Sequence, residues 1–154
     1  MLMEGEAAPD FELPADDGSR VRLGDLRGQK IVLYFYPKDD TSGCTIEACE
    51  FRDSQPEFKS GGAVILGVSP DPVTSHARFR DKHSLTFPLL ADEDHKVAET
   101  YGVWKEKSMY GRTYWGIERT TFLIDETGVV QRVWRRVKPR GHAADVAGAL
   151  GEVN

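Results

Sequence analysis

Apolar positions in this chain gather into short blocks separated by polar turns. Residues Ile31 to Tyr36 are apolar without alternation and rich in β-branched and aromatic side chains. That is the pattern of a central strand covered on both faces. Ala63 to Val68 repeats the character and predicts a second buried strand. Ahead of them, Phe11-Glu12-Leu13 and Val21-Arg22-Leu23 flank the turn residues Asp16-Asp17-Gly18-Ser19, which predicts a small N-terminal hairpin. Between the two buried strands, residues 42 to 59 read as one helix closed by Gly61-Gly62. A second helix is expected up to Lys82, capped by Ser69 or Asp71. A short one runs up to Tyr101, capped by Asp92 or Asp94 and ended by Gly102. Phe87 to Leu90 contains a proline, which removes a ladder donor, and reads as a short edge strand. Arg119 to Ile124 and Val129 to Val137 predict a hairpin around Asp125-Glu126-Thr127-Gly128, and Gly141 to Leu150 a last helix. Residues 104 to 118 are expected to be the longest irregular stretch.

This order of elements is α/β in class, a central mixed β-sheet flanked by helices with an N-terminal β-hairpin. With 154 residues and no repeat or linker, one domain over 1–154 is expected. A net charge of -5 argues against a general nucleic-acid binder. The basic run Arg132, Arg135, Arg136, Lys138, Arg140 reads as the solvated side of an edge-like strand. No segment approaches the roughly 18 consecutive apolar residues of a membrane span. The first residues show no basic stretch followed by an apolar one. The expectation is a soluble, cytoplasmic protein with no membrane partner. In a reducing compartment its two cysteines need an account other than a permanent bridge.

Both cysteines lie in Pro37-Lys38-Asp39-Asp40-Thr41-Ser42-Gly43-Cys44-Thr45-Ile46-Glu47-Ala48-Cys49, directly after the first buried strand. Cys44 falls in the first helical turn, where orphan N–H groups and the helix dipole favour thiolate over thiol. Thr41 and Gly43 add a hydroxyl donor and an unobstructed backbone N–H, a small anion-binding nest. Five residues along a helix correspond to a rise of about 7.5 Å and a rotation of about 500°, which places the two Cα atoms roughly 8.6 Å apart. A disulfide needs them within about 7 Å, so a bond between Cys44 and Cys49 requires the first turn or two to unwind.

Other chemistries find little support. His76, His83, His95 and His142 lack ligand spacing with the cysteines, whose own spacing lacks the second half of a zinc pattern. His83 and His142 read as solvent-facing or capping residues. No Gly-x-Gly-x-x-Gly or Gly-Lys-Ser/Thr is present, so no nucleotide site is expected. The Cys-x-x-Cys of a general disulfide oxidoreductase is absent. That oxidoreductase is still the runner-up reading, and a redox-switched, non-enzymatic scaffold or holdase is the third.

The pattern Pro-x-x-x-Thr-x-x-Cys after a buried strand, here Pro37, Thr41 and Cys44, resembles the active-site signature of the peroxiredoxins. The longer string through Cys49 closely resembles the bacterioferritin-comigratory, or Q-type, subfamily. Met109-Tyr110-Gly111, Gly116-Ile117, Arg119 and Thr120 to Asp125 are also similar to that subfamily, and the likeness runs from Ala8-Pro9-Asp10-Phe11 to the last helix. The resemblance implies a thioredoxin-like fold and thiol-dependent reduction of hydroperoxides. It implies Cys44 as the peroxidatic cysteine and Cys49 as the resolving one, joined in an intramolecular disulfide. By the same resemblance Pro37 shields the pocket from water, Thr41 hydrogen-bonds the thiolate and the peroxide, Arg119 completes the site, and Glu47 supports it. Thioredoxin or a similar dithiol is the implied reductant, a monomer the expected state, and no metal, haem, flavin or nucleotide is required.

Chemically, the Cys44 thiolate would attack the terminal peroxide oxygen while Arg119 and backbone N–H groups stabilise charge on the leaving oxygen. Cys49 would then condense with the sulfenic acid. The aromatic residues Trp104, Tyr110, Tyr114 and Trp115 read as a satellite cluster tying their loop to the core. On the alternative reading they line the peroxide pocket, where Met109 and Trp115 would favour alkyl hydroperoxides.

Overall fold

The computed structural model describes residues 2–152. Its centre is the expected buried strand, β3 (Lys30–Phe35), with all six residues buried. β3 pairs in parallel with β4 (Ala63–Ser69) and antiparallel with β8 (Thr120–Ile124), Phe35 lying opposite both Val68 and Thr120. β5 (Leu89–Ala91) and β9 (Val130–Trp134) form the edges of this five-stranded sheet, ordered β5-β4-β3-β8-β9. β1 (Glu12–Pro14) and β2 (Arg20–Arg22) form the expected hairpin, with Leu13 opposite Val21.

Alternation along β3 builds two cores. Ile31, Leu33 and Phe35 pack with Leu66, Val68, Tyr101 and Phe122 on one face. Val32, Tyr34 and the following Tyr36 pack with Phe51, Ile65, Phe79 and Val146 on the other. The second face is covered by α1 (Ser42–Asp53), α2 (Gln55–Ser60), α3 (Val73–His83) and α5 (His142–Leu150), each of which contributes a buried residue. α4 (Lys96–Thr100) and the β1–β2 hairpin cover the first. Side chains of this size contribute about 1.5–3 kcal/mol each when fully buried. The result is the mixed sheet between helices of a thioredoxin-like fold.

Three expectations are corrected. The single helix over residues 42–59 is broken at Ser54. Pro56 has no N–H for the Arg52 carbonyl, and its ring would press on that carbonyl. The ladder therefore stops, and Pro56 sits in the first turn of α2, where it is tolerated. α3 begins after Pro72 without a side-chain cap, because the expected caps are engaged elsewhere. The Ser69 hydroxyl donates to the Asp71 carboxylate at 2.6 Å, and that carboxylate also accepts the Asp39 N–H at 2.8 Å. At α4, Asp92 does cap, accepting from the N–H groups of Val97 at 3.2 Å and Ala98 at 2.9 Å.

The third correction is the largest. Residues 104–118 are not irregular: β6 (Trp104–Met109) and β7 (Arg112–Ile117) form a two-stranded ribbon. Its turn is Tyr110-Gly111, with φ of 51° and 77°, the doubly positive geometry that suits a two-residue hairpin. The ribbon's middle is polar in β6, from Lys105 to Ser108, and in β7 it carries Thr113, Tyr114 and Trp115, which remain exposed. With no sheet face to bury, it carries no apolar period.

Candidate active site

The site forms where β3 runs into α1. Pro37 ends the strand's pattern, Asp39 and Asp40 make the turn, and Thr41 is the extended N-cap residue of α1. Cys44 is therefore the third helical residue, beside unpaired N–H groups of the first turn, and it is 1% exposed. Arg119, which precedes β8, reaches over it. Its Nη2 donates to Cys44 Sγ at 3.3 Å and its Nη1 to Glu47 Oε1 at 2.7 Å. Cys44 and Glu47 are three residues apart on one face of α1, so one guanidinium spans both. A side chain at Gly43 would meet Arg119 Nη2 at 3.2 Å and Pro139 at 3.3 Å, so glycine gives the guanidinium its room.

Glu47 is fully buried, and its Oε2 has no hydrogen-bond partner. Burial pushes its carboxyl up to about 7, against the pull of Arg119. Lys107 of β6 donates from Nζ to the Ile117 carbonyl at 2.8 Å. Burial, and then the charge of Arg119, hold its ammonium below the usual lysine range.

The other expected residues divide. Cys49 lies half-buried on α1, and both thiols are free. Pro37 is half-buried at the head of the loop. Thr41 differs from expectation: its hydroxyl donates to the Lys38 carbonyl at 2.9 Å, so that proton is not directed at Cys44. The hydroxyl oxygen retains its lone pairs as an acceptor.

Sequence reading missed the clamp that shapes this loop. The buried Asp39 carboxylate accepts from the Tyr36 hydroxyl at 2.6 Å and the Ser75 hydroxyl at 2.7 Å, and meets His76 Nδ1 at 2.7 Å. His76 Nε2 lies 2.9 Å from the Leu90 carbonyl. Asp40, at φ 58°, takes Lys82 at 2.7 Å and His83 at 3.0 Å. The only hint was the clustering of Ser, His and Asp around α3, which carries no information about a loop more than thirty residues upstream.

Two further readings are corrected. His142 is buried rather than solvent-facing, with Nε2 2.7 Å from the Thr121 hydroxyl, and burial lowers its pKa to about 4. The aromatic residues do not form one cluster. Trp104 stacks on His95 at 3.9 Å, while Tyr110, Tyr114 and Trp115 are exposed. Pairing of Glu106 with Trp115 and of Met109 with Arg112 puts Met109 and Trp115 on opposite faces of the ribbon, so they cannot line one pocket together.

A reactive-looking thiol at a helix start, bridged by arginine to a buried glutamate on this fold, has close counterparts. Residues 5–133 match the AhpC/TSA family. The chain belongs to this peroxiredoxin family. It is 53% identical over 146 residues to a putative peroxiredoxin Bcp of Coxiella burnetii, covering 95% of this chain and 97% of that one. It is 51% identical to peroxiredoxin Bcp of Bacillus subtilis, covering 97% and 96%. Among solved structures, a cysteine variant of Xylella fastidiosa PrxQ superposes with a TM-score of 0.94 at 39% identity, covering 99% and 97%. A Xanthomonas campestris peroxiredoxin Q variant gives 0.92 at 44%, covering 100% and 98%. This peroxiredoxin is thus of the Bcp/PrxQ type, an enzyme that reduces hydroperoxides through a peroxidatic cysteine thiol. Among the described residues no helix is long and apolar enough to cross a membrane.

Proposed function

We propose that Cys44 is the peroxidatic cysteine, Cys49 the resolving one, and Arg119 the group that stabilises the reacting charge. The observation that carries this reading is the guanidinium held 3.3 Å from Cys44 Sγ. The sulfur attacks the terminal oxygen of the hydroperoxide, an S–O bond forms as O–O breaks, and the sulfur becomes a sulfenic acid. Arg119 faces both the sulfur and the oxygen that acquires charge. Thr41, with its proton on Lys38, offers its oxygen to the peroxide O–H. Pro37 covers the strand side of the pocket. Cys49 then condenses with the sulfenic acid, releasing water and forming the intramolecular Cys44–Cys49 disulfide. A thioredoxin-type dithiol attacks that bond and restores both thiols. The working unit is one domain over 1–154, acting as a monomer.

Stopped-flow peroxide consumption by the wild type, C44S and C49S, paired with thioredoxin-coupled turnover, tests this. C44S should lose turnover by orders of magnitude. C49S should reduce the first peroxide at the wild-type rate and then accumulate sulfenic and sulfinic acid at Cys44, visible by mass spectrometry. Undiminished thioredoxin-driven turnover by C49S would remove Cys49 from the cycle.

A further inference from the structure

Arg119 is one buried cation facing two acids. Cys44 is 1% exposed and Glu47 is fully buried, and each receives a hydrogen bond from a different nitrogen of the guanidinium. If both acids were ionised, the site would carry an uncompensated negative charge out of contact with water, which is strongly unfavourable. If one keeps its proton, the three groups sum to zero. Glu47 has the place for that proton: Oε1 is committed to Arg119, while Oε2 is buried without a partner.

We propose that Cys44 and Glu47 hold a single proton between them across Arg119, with Glu47 carrying it while the sulfur is the attacking thiolate. Glu47 is therefore a proton-holding residue of the reaction, not only a brace for the arginine. The inference rests on Cys44 being the peroxidatic cysteine.

The surroundings support this placement. Arg119, from the head of β8, draws Glu47 towards the anion, while Glu50 on its own helix opposes that. Tyr34 of β3 faces Glu47, Cys44 and Asp39 and is itself held neutral by burial. Lys107 of β6 and His142 of α5 face Arg119. Burial is the largest influence on Glu47, and it brings the carboxyl to about 7, where it retains a proton that an ordinary glutamate has lost.

The reaction then balances within the site. Thiolate sulfur bonds to the terminal peroxide oxygen, O–O breaks, and alkoxide departs with the electron pair. The sulfur is oxidised by two electrons and the peroxide reduced by two. The sulfenic acid is neutral, so Arg119 is left facing no anion. Glu47 then ionises, Arg119 pairs with its carboxylate, and the alkoxide is protonated to alcohol. No net proton is taken from solvent. When Glu47 is replaced by glutamine, the alkoxide must draw its proton from bulk water.

The test is proton uptake on oxidation by one equivalent of hydroperoxide at neutral pH, followed with an indicator dye in weak buffer. A C49S background halts the reaction at the sulfenic acid. The E47Q/C49S protein should take up one more proton per peroxide consumed than C49S alone. Equal uptake in the two proteins would overturn the proposal. Failure of C49S to consume any peroxide would instead sink the assignment of Cys44. If E47Q does not fold, the reciprocal titration decides: with labelled glutamate carboxyls followed by NMR, Glu47 should ionise at lower pH in C44S than in the wild type, because the coupled anion is gone. An unchanged Glu47 titration in C44S also overturns the proposal.

Discussion

At the residue scale, Arg119 is the group whose loss should be felt most. Its two charged contacts are made in a buried site, where fixed donors act more strongly than in water. Arg119→Met should lower kcat/KM for hydroperoxide by roughly 100- to 1,000-fold, about 3–4 kcal/mol, while reduction of the preformed disulfide changes little. R119K should recover only a small part, since an ammonium cannot fork to Cys44 and Glu47 at once. Near-wild-type peroxide kinetics in R119M would show that the contact is structural only. The types of these residues were legible in the sequence: Pro37, Thr41 and Cys44 lie within eight positions, and Arg119 follows from the family resemblance. Their bonds were not. Arg119 and Cys44 are 75 positions apart, Thr121 and His142 are 21 apart, and local pattern holds no record of either pair. The direction of the Thr41 hydroxyl was equally hidden, because it depends on whether the Lys38 carbonyl lies within reach.

At the scale of elements, α1 has to serve two states. While it is intact, Cys44 and Cys49 are both free and stand too far apart to bond. Its far end is fixed: Phe51 stacks on Tyr34 at 4.7 Å, and Arg52 Nη1 donates to the His83 carbonyl at 2.6 Å. Its near end carries Cys44, whose sulfur is bonded to Arg119 and must leave that position for a disulfide to form. Oxidation to the intramolecular disulfide should therefore raise amide exchange across residues 42–49 and leave Phe51 and α2 protected, read by hydrogen exchange with mass spectrometry. Equal protection of residues 42–49 in the reduced and disulfide forms would contradict this division of the helix. The central strands were legible as unbroken apolar runs, because both of their faces are buried, and the main helices were legible from the turn and breaker residues that bound them. The β6–β7 ribbon was not, because neither of its faces is covered for most of its length. Pro56 is a visible breaker inside residues 42–59, and its effect follows from the missing N–H and the ring's clash with the Arg52 carbonyl.

At the scale of the whole molecule, two buried groups near the site set opposing pH dependences of stability. Glu47 is raised from 4.5 to about 7 on folding. Between those values the folded chain holds a proton that the unfolded chain has lost, so this contribution is complete below pH 4.5 and disappears as pH rises through 7. His142 is lowered from 6.5 to about 4. Here the unfolded chain gains the proton first, so the contribution is present above 6.5 and is lost as pH falls through 4. Each shift corresponds to roughly 3–4 kcal/mol, at about 1.4 kcal/mol per pKa unit. Across their shared range the two slopes cancel, and neither is visible in the wild type. Separate replacements should uncover them. In urea unfolding, E47Q should gain stability with rising pH relative to the wild type, as His142 then acts alone. H142Q should lose stability with rising pH relative to the wild type, as Glu47 then acts alone. The two difference curves should diverge with opposite sign by a few kcal/mol between about pH 4 and about pH 7. Parallel profiles for all three proteins would mean that neither group titrates differently on folding. The buried site would then be indifferent to its own charge, which the Arg119 contacts argue against.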